Sequence, residues 1–278
     1  MRAFTIARAT FREAFHLPVL HVVMIASVVL LIIVGQLPRF TLSIYDDIKM
    51  LKDLAMATAT LCGVLVAIFA AVNVITLEIE NWTVVTVLSK PVRRWEFIVG
   101  KFMGLVLTLT AAFAILTALY ILVVWWGMWE NVREYQSVYP ELKEHFGTIA
   151  LAAADEMWRG MVMCLLQVLV LGAVAVACCV RAPMIVSVVI FFAFFVAGHF
   201  VAAVEKAGAK AGTTLATAGA FLVKALVADQ GALSFSQEAG TGRLITAGVM
   251  GWGFLYAAVY AAAVLLVAVL LFRNREVI

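Results

Sequence analysis

Long apolar stretches alternate with short polar ones along this chain. Six runs, 18–37, 55–77, 102–127, 160–180, 184–204 and 245–271, contain no Asp, Glu, Lys or Arg. Each is twenty residues or longer, enough to cross a hydrocarbon core of about 30 Å at about 1.5 Å per helical residue. A helix pairs its own backbone groups, which an isolated strand in lipid does not. The pattern therefore predicts an all-α polytopic membrane protein with six transmembrane helices. No fixed-period repeat, low-complexity segment or soluble-domain linker interrupts it, so residues 1–278 read as one membrane domain.

The polar intervals differ in kind. Residues 1–17 predict an amphipathic helix at the membrane interface. Phe4, Ala7, Phe11, Ala14 and Phe15 share one face, and Arg2, Thr5, Arg12 and Glu13 the other, with Arg8 at the margin. Phe4, Phe11 and Phe15 suit the acyl boundary, and Arg8 and Arg12 suit anionic headgroups, so membrane lipid is an expected partner. The intervals 38–54 and 128–159 read as ordinary polar loops. Arg181-Ala182-Pro183 forces a tight hairpin between the fourth and fifth runs. Within the outer helical loop 205–244, Leu215, Gly219, Leu222 and Leu226 repeat at helical spacing. That stretch is too short to cross, and predicts a re-entrant or surface helix before the sixth span.

Residues 78–101 form the most polar interval between closely spaced runs, with four basic and three acidic side chains. Each would cost kilocalories in hydrocarbon, so the interval lies on one membrane face. Pro91 divides it into two short helices. In the first, Glu80, Thr83, Thr86 and Lys90 share a face opposite Val84, Val85 and Leu88. Such a helix, parallel to the membrane, fits a groove on a partner protein. A solvated loop whose charges only set topology fits the same pattern.

Composition agrees with the hydropathy: 65% of the residues are hydrophobic and 13% charged, against about a quarter charged in soluble domains. If the N-terminus is cytoplasmic, the cytoplasmic segments hold ten Lys and Arg in 51 residues, and the opposite ones ten in 89. The denser side is the cytoplasmic one, which predicts both termini inside. The first apolar run is followed by Gln36-Leu37-Pro38-Arg39 rather than a small-residue cleavage site, so no cleaved signal peptide is expected. Trp125, Trp126, Trp129 and Trp158 mark one interface and Trp82 and Trp95 the other.

The chemistry of catalysis is missing from the pattern. Cys62, Cys164, Cys178 and Cys179 lie inside predicted spans, and His16, His21, His145 and His199 have no i, i+4 partner, so no metal site is expected. Gly100-Lys101 is not a phosphate-binding loop, because no glycine precedes it at the required spacing. A net charge of +3 without a basic stripe interleaved with aromatics argues against nucleic acid. The chain is therefore expected not to be an enzyme. Gly100 with Gly104, and Gly248 with Gly251 and Gly253, mark places of close helix approach, either within the chain or across a dimer seam.

The order Glu78-x-Glu80, Thr83, Leu88-Ser89-Lys90-Pro91, Arg94 and Gly100-Lys101 resembles the signature of type-2 ATP-binding-cassette (ABC) exporter permeases. That family commonly reads E-x-E-x-G-T, then L-L-x-x-P, R and G-K. This chain departs from it at Asn81-Trp82 and Val87-Leu88. The resemblance covers nearly the whole chain: N-terminal helix, six spans, motif between the second and third, and an outer element before the sixth.

The resemblance implies a half-transporter in a bacterial plasma (inner) membrane that dimerises with a second copy or a paralogue. Residues 78–101 would then be a coupling helix docked on a separate cytoplasmic ABC ATPase, which binds the ATP and magnesium. Glu78, Glu80, Thr83, Lys90, Pro91, Arg93 and Arg94 are the docking residues it implies. Two other classes stay open: a membrane scaffold or assembly factor whose loop only holds a partner, and a secondary transporter or channel. The last is disfavoured by the absence of any charged residue in the six runs.

Overall fold

A computed structural model describes residues 2–35, 44–80, 94–135, 141–211, 227, 230–233 and 247–273. Among them every regular element is a helix. In chain order these are α1 (Arg2–Phe15), α2 (Pro18–Gly35), α3 (Ile44–Ala71), a π-helical turn (Val72–Thr76) and α4 (Leu77–Glu80). Then come α5 (Arg94–Tyr135), α6 (Glu141–Arg181), α7 (Met184–Ala211), α8 (Gln230–Leu233) and α9 (Ala247–Arg273). Five helical stretches among the described residues are long and apolar enough to cross a membrane, six if α1 and α2 are taken as one bent span. The chain is thus an all-helical protein whose long apolar helices suit an integral membrane protein.

The centre and the periphery of the bundle separate clearly. In α6, 72% of the most apolar stretch is buried inside the protein; in α9 the figure is 17%. α6 is therefore the central helix, packed by α3, α5 and α9, while α9 turns most of its apolar surface outward. Leu109, Leu116, Val168, Leu171 and Ala175 are fully or nearly fully enclosed at this centre.

A bend of 56° separates α1 from α2. It falls at His16-Leu17, just before Pro18, whose ring disfavours helix at the preceding residue yet suits a first helical turn. The π-helical turn instead keeps the chain helical from Ile44 to Glu80, with Leu77 N–H bonded five residues back to the Val72 carbonyl. Asn73, the one amide in the 55–77 run, sits in this turn and donates to the Phe69 carbonyl at 2.8 Å.

The intervals 38–54 and 128–159 correct the expectation of polar loops. α3 begins at Ile44, α5 continues to Tyr135 and α6 starts at Glu141, so the helices run past the apolar stretches. Charged side chains on these extensions pair along and between helices: Lys52 with Glu156, and Arg159 with Asp155 at 2.8 Å. Such turns stay helical in a polar medium because i, i+4 pairs and continued backbone bonding support them. Of the re-entrant helix expected at 215–227, and of most of 205–244, only α8 and Val227 are described; the remainder lies outside the described residues. α7 itself extends to Ala211.

Candidate functional site

The polar chemistry gathers where α1, α4, α5, α7 and α9 meet, at one end of the bundle. α1 crosses α5 here, and the crossing is close because α5 presents two glycines. A Cβ on Gly100 would lie 2.9 Å from Ile6 Cβ, and one on Gly104 2.4 Å from Thr10 Cβ and 2.8 Å from the Ala7 carbonyl oxygen. The Gly100/Gly104 pair thus serves a contact within the chain. Gly248 and Gly251, by contrast, have nothing within 4 Å, whereas Gly253 abuts Met163 of α6.

This crossing corrects the two-faced reading of α1. Its helix has three sectors. Ala7, Thr10 and Ala14 are buried against the bundle. Phe4, Phe11 and Phe15 form a second sector, with Phe4 exposed and the Phe11 and Phe15 rings tilted against each other, centroids 5.5 Å apart. Arg8 and Arg12, both exposed, form a third, which His16 extends. Ala7 and Ala14 therefore serve protein packing, whereas Phe4, Arg8 and Arg12 stay exposed.

Lys101 lies under the same crossing. Its Nζ is 2.6 Å from Glu78 Oε1, with side-chain exposures of 5% and 23%, and stands 5.6 Å from the Phe97 ring. Phe97 in turn stacks on Phe272 in the last turn of α9, centroids 6.0 Å apart. Lys101 is thus enclosed and paired. A separation of 23 positions along the chain carries no local signal for such a pair.

Glu13 on α1 shares this field. Part of its side chain reaches solvent, yet the surrounding protein raises its pKa above the usual 4.5 by burial; Lys101 lowers it and Glu78 raises it further. Two carboxylates therefore flank one enclosed lysine.

Glu80 makes the second tie. Its Oε1 accepts from the Met184 backbone N–H at 3.3 Å, at the first residue of α7. A helix N-terminus has unpaired N–H groups and favours a negative charge. The hairpin before it is fixed by Ser187, whose hydroxyl donates to the Cys178 and Ala182 carbonyls at 3.2 and 3.1 Å. Glu78 and Glu80, both in α4, thus grip α5 and α7.

Of the other residues implied by the resemblance, Thr83, Lys90, Pro91 and Arg93 lie outside the described residues. Arg94 opens α5. The polar residues inside the bundle escaped the sequence reading: Thr58 of α3 and Tyr120 of α5, both buried, approach to 3.3 Å. Ser27 of α2, also buried, bonds to the Met24 carbonyl. Among the described residues no group of His, Cys, Asp or Glu is arranged to hold a metal ion.

No protein-family model matches this chain, and no curated protein is detectably similar to it.

Proposed function

We propose that the chain is the transmembrane permease subunit of an ATP-driven exporter of the ABC type. In this reading α2 is a sixth span, α1 lies along the cytoplasmic interface, and a second copy or paralogue completes the transporter. A separate cytoplasmic ATPase docks on residues 78–101 and binds the ATP and magnesium. The substrate is hydrophobic or amphipathic, since the apolar runs offer no fixed charge to a charged solute.

One observation supports this above the others. Residues 81–93 are tied at their start by Glu78 to Lys101 of α5 and by Glu80 to the start of α7. At their end they run directly into α5, where Phe97 stacks on the end of α9. A displacement of that segment is therefore delivered to three long helices at once. A docked ATPase drives the permease only if it favours one arrangement of those helices over another, and these ties supply the connection.

Affinity capture of the tagged chain from gently solubilised native membranes tests the reading. Wild type is expected to bring down a Walker-motif ATPase, and Lys90→Glu/Arg93→Glu to lose it. Stimulation of that ATPase by substrate in the reconstituted complex separates a transporter from a scaffold. Absence of any ATPase from wild-type preparations that retain other membrane complexes contradicts the proposal.

A further inference from the structure

At the end of the bundle remote from Lys101, α5 and α6 part to leave an apolar cleft of about 380 Å³, within the size range of small-molecule pockets. Its floor is Val124, Met128, Ala153 and Met157, all buried, and its rims are Trp125 and Leu151, both exposed. Among the described residues, no lining side chain carries a charge or a hydrogen-bonding group other than the Trp125 indole. Of the described charges next to it on α6, Asp155 is engaged with Arg159 and with the Trp158 indole N–H, and Glu156 with Lys52. The described lining suits hydrocarbon.

Its level in the membrane decides the occupant. Ile121 and Met128, which bound it along α5, lie about 30 and 40 Å beyond Lys101 at the rise of an α-helix. A hydrocarbon core is about 30 Å thick, so the cleft starts at the far edge of the core and extends into the headgroup layer. Trp125, Trp126 and Trp129, all exposed, stand at this level, as interfacial tryptophans do. An apolar groove inside the core gains little from a lipid chain, because its surroundings are equally apolar. At headgroup level the same groove faces water, and filling it with hydrocarbon removes apolar surface from that water.

We propose that this cleft holds one acyl chain of a bilayer phospholipid, raised out of the leaflet to headgroup level. The inference does not depend on the exporter reading. The chain lies along Met128 and Met157, with Trp125 and Leu151 closing over it, and its headgroup stays in the aqueous layer.

A phosphatidylcholine carrying a diazirine at the middle of one acyl chain tests this in nanodiscs containing the purified full-length protein. In an ordinary leaflet that diazirine lies at the level of Leu107 and Ile115. The proposal expects photolabel on Met128 and Met157 at a yield comparable to that on Leu107 and Ile115. It also expects Gly147→Leu/Ala150→Leu, which fills the cleft, to lower the label on the two methionines at least tenfold while leaving Leu107 and Ile115 labelled as before. Label confined to mid-span residues in wild type overturns the proposal whether or not the filled variant folds. So does label on the methionines that filling does not change. Efficient disulfide dimerisation of Leu151→Cys, with no label on the floor, assigns the cleft to a second copy and likewise overturns it.

Discussion

Two ion pairs at opposite ends of the bundle differ in enclosure: Lys101–Glu78, near α1, is shut in by protein, whereas Arg159–Asp155 lies along the surface beside the more enclosed Lys52–Glu156 pair. Lys101 and Glu78 meet beneath the α1–α5 crossing with little solvent access, and Glu80 closes the first turn of α7. Arg159 and Asp155 pair across one turn of a single helix and keep much more of their surface exposed. The difference concerns what each contact can specify. An enclosed pair is tolerated only in one geometry, because either charge alone is strongly disfavoured inside protein. A surface pair is exchangeable for water at small cost. The first arrangement makes a joint, and the second keeps a helix extension soluble.

The comparison sharpens under substitution, and the largest effect is expected at the joint. Lys101→Met leaves Glu78 enclosed without its cation and is expected to destabilise the protein by about 3 kcal/mol, measured by denaturant titration in micelles. Restoring neutrality with Glu78→Leu/Lys101→Met is expected to recover most of that loss. A Lys101→Met protein as stable as wild type would remove the distinction between the two pairs.

Next comes the helix crossing itself. Gly104→Val drives side-chain atoms into Thr10 and the Ala7 carbonyl, and is expected to cost about 1–3 kcal/mol, as overpacking does. Gly251→Val on the outward side of α9 meets nothing within the chain and is expected to change stability by less than about 0.5 kcal/mol. A large loss at Gly251 instead would mean that a second copy packs on that helix. At the far end, Arg159→Met is expected to cost only about 0.3 kcal/mol by the same titration, the usual size for an exposed i, i+4 pair.

The smallest effect expected is a pH dependence at Glu13. Its folded pKa is raised above 4.5, chiefly by burial, so the folded state holds the proton more tightly than the unfolded one. The resulting stabilisation is complete below pH 4.5 and is lost as pH rises through the folded value. Glu13→Gln is therefore expected to raise the thermal midpoint slightly at pH 7 and to leave it unchanged at pH 4. An unchanged midpoint at pH 7 would mean that Lys101 offsets the burial in full.

The long helices were legible in the sequence because a run of twenty uncharged residues has few other uses, but their ends were not. Hydropathy reports where hydrocarbon stops, and α3 and α6 extend beyond that point with ion pairs that hydropathy does not register. α1 was legible as amphipathic, yet one apolar stripe cannot say which of its members meet protein and which meet lipid. Residue size carried part of that division: Ala7, Thr10 and Ala14 are small and buried, with Ala7 and Thr10 against Gly104, while the phenylalanines are not. Glu78 and Lys101 were each visible, but their pairing crosses a segment of the chain with no regular spacing to exploit. The apolar cleft left no trace in the pattern, since its lining reads as more of the same helical faces.

Capture of the proposed ATPase by single and compensated joint variants tests most directly the central proposal, namely that docking of a partner at residues 81–93 depends on the Glu78–Lys101 joint. The account predicts that Lys101→Met loses the ATPase although residues 81–93 are untouched, that Glu78→Leu/Lys101→Met regains it, and that Arg159→Met retains it throughout. Folded Lys101→Met protein that recovers the ATPase as well as wild type would contradict the account.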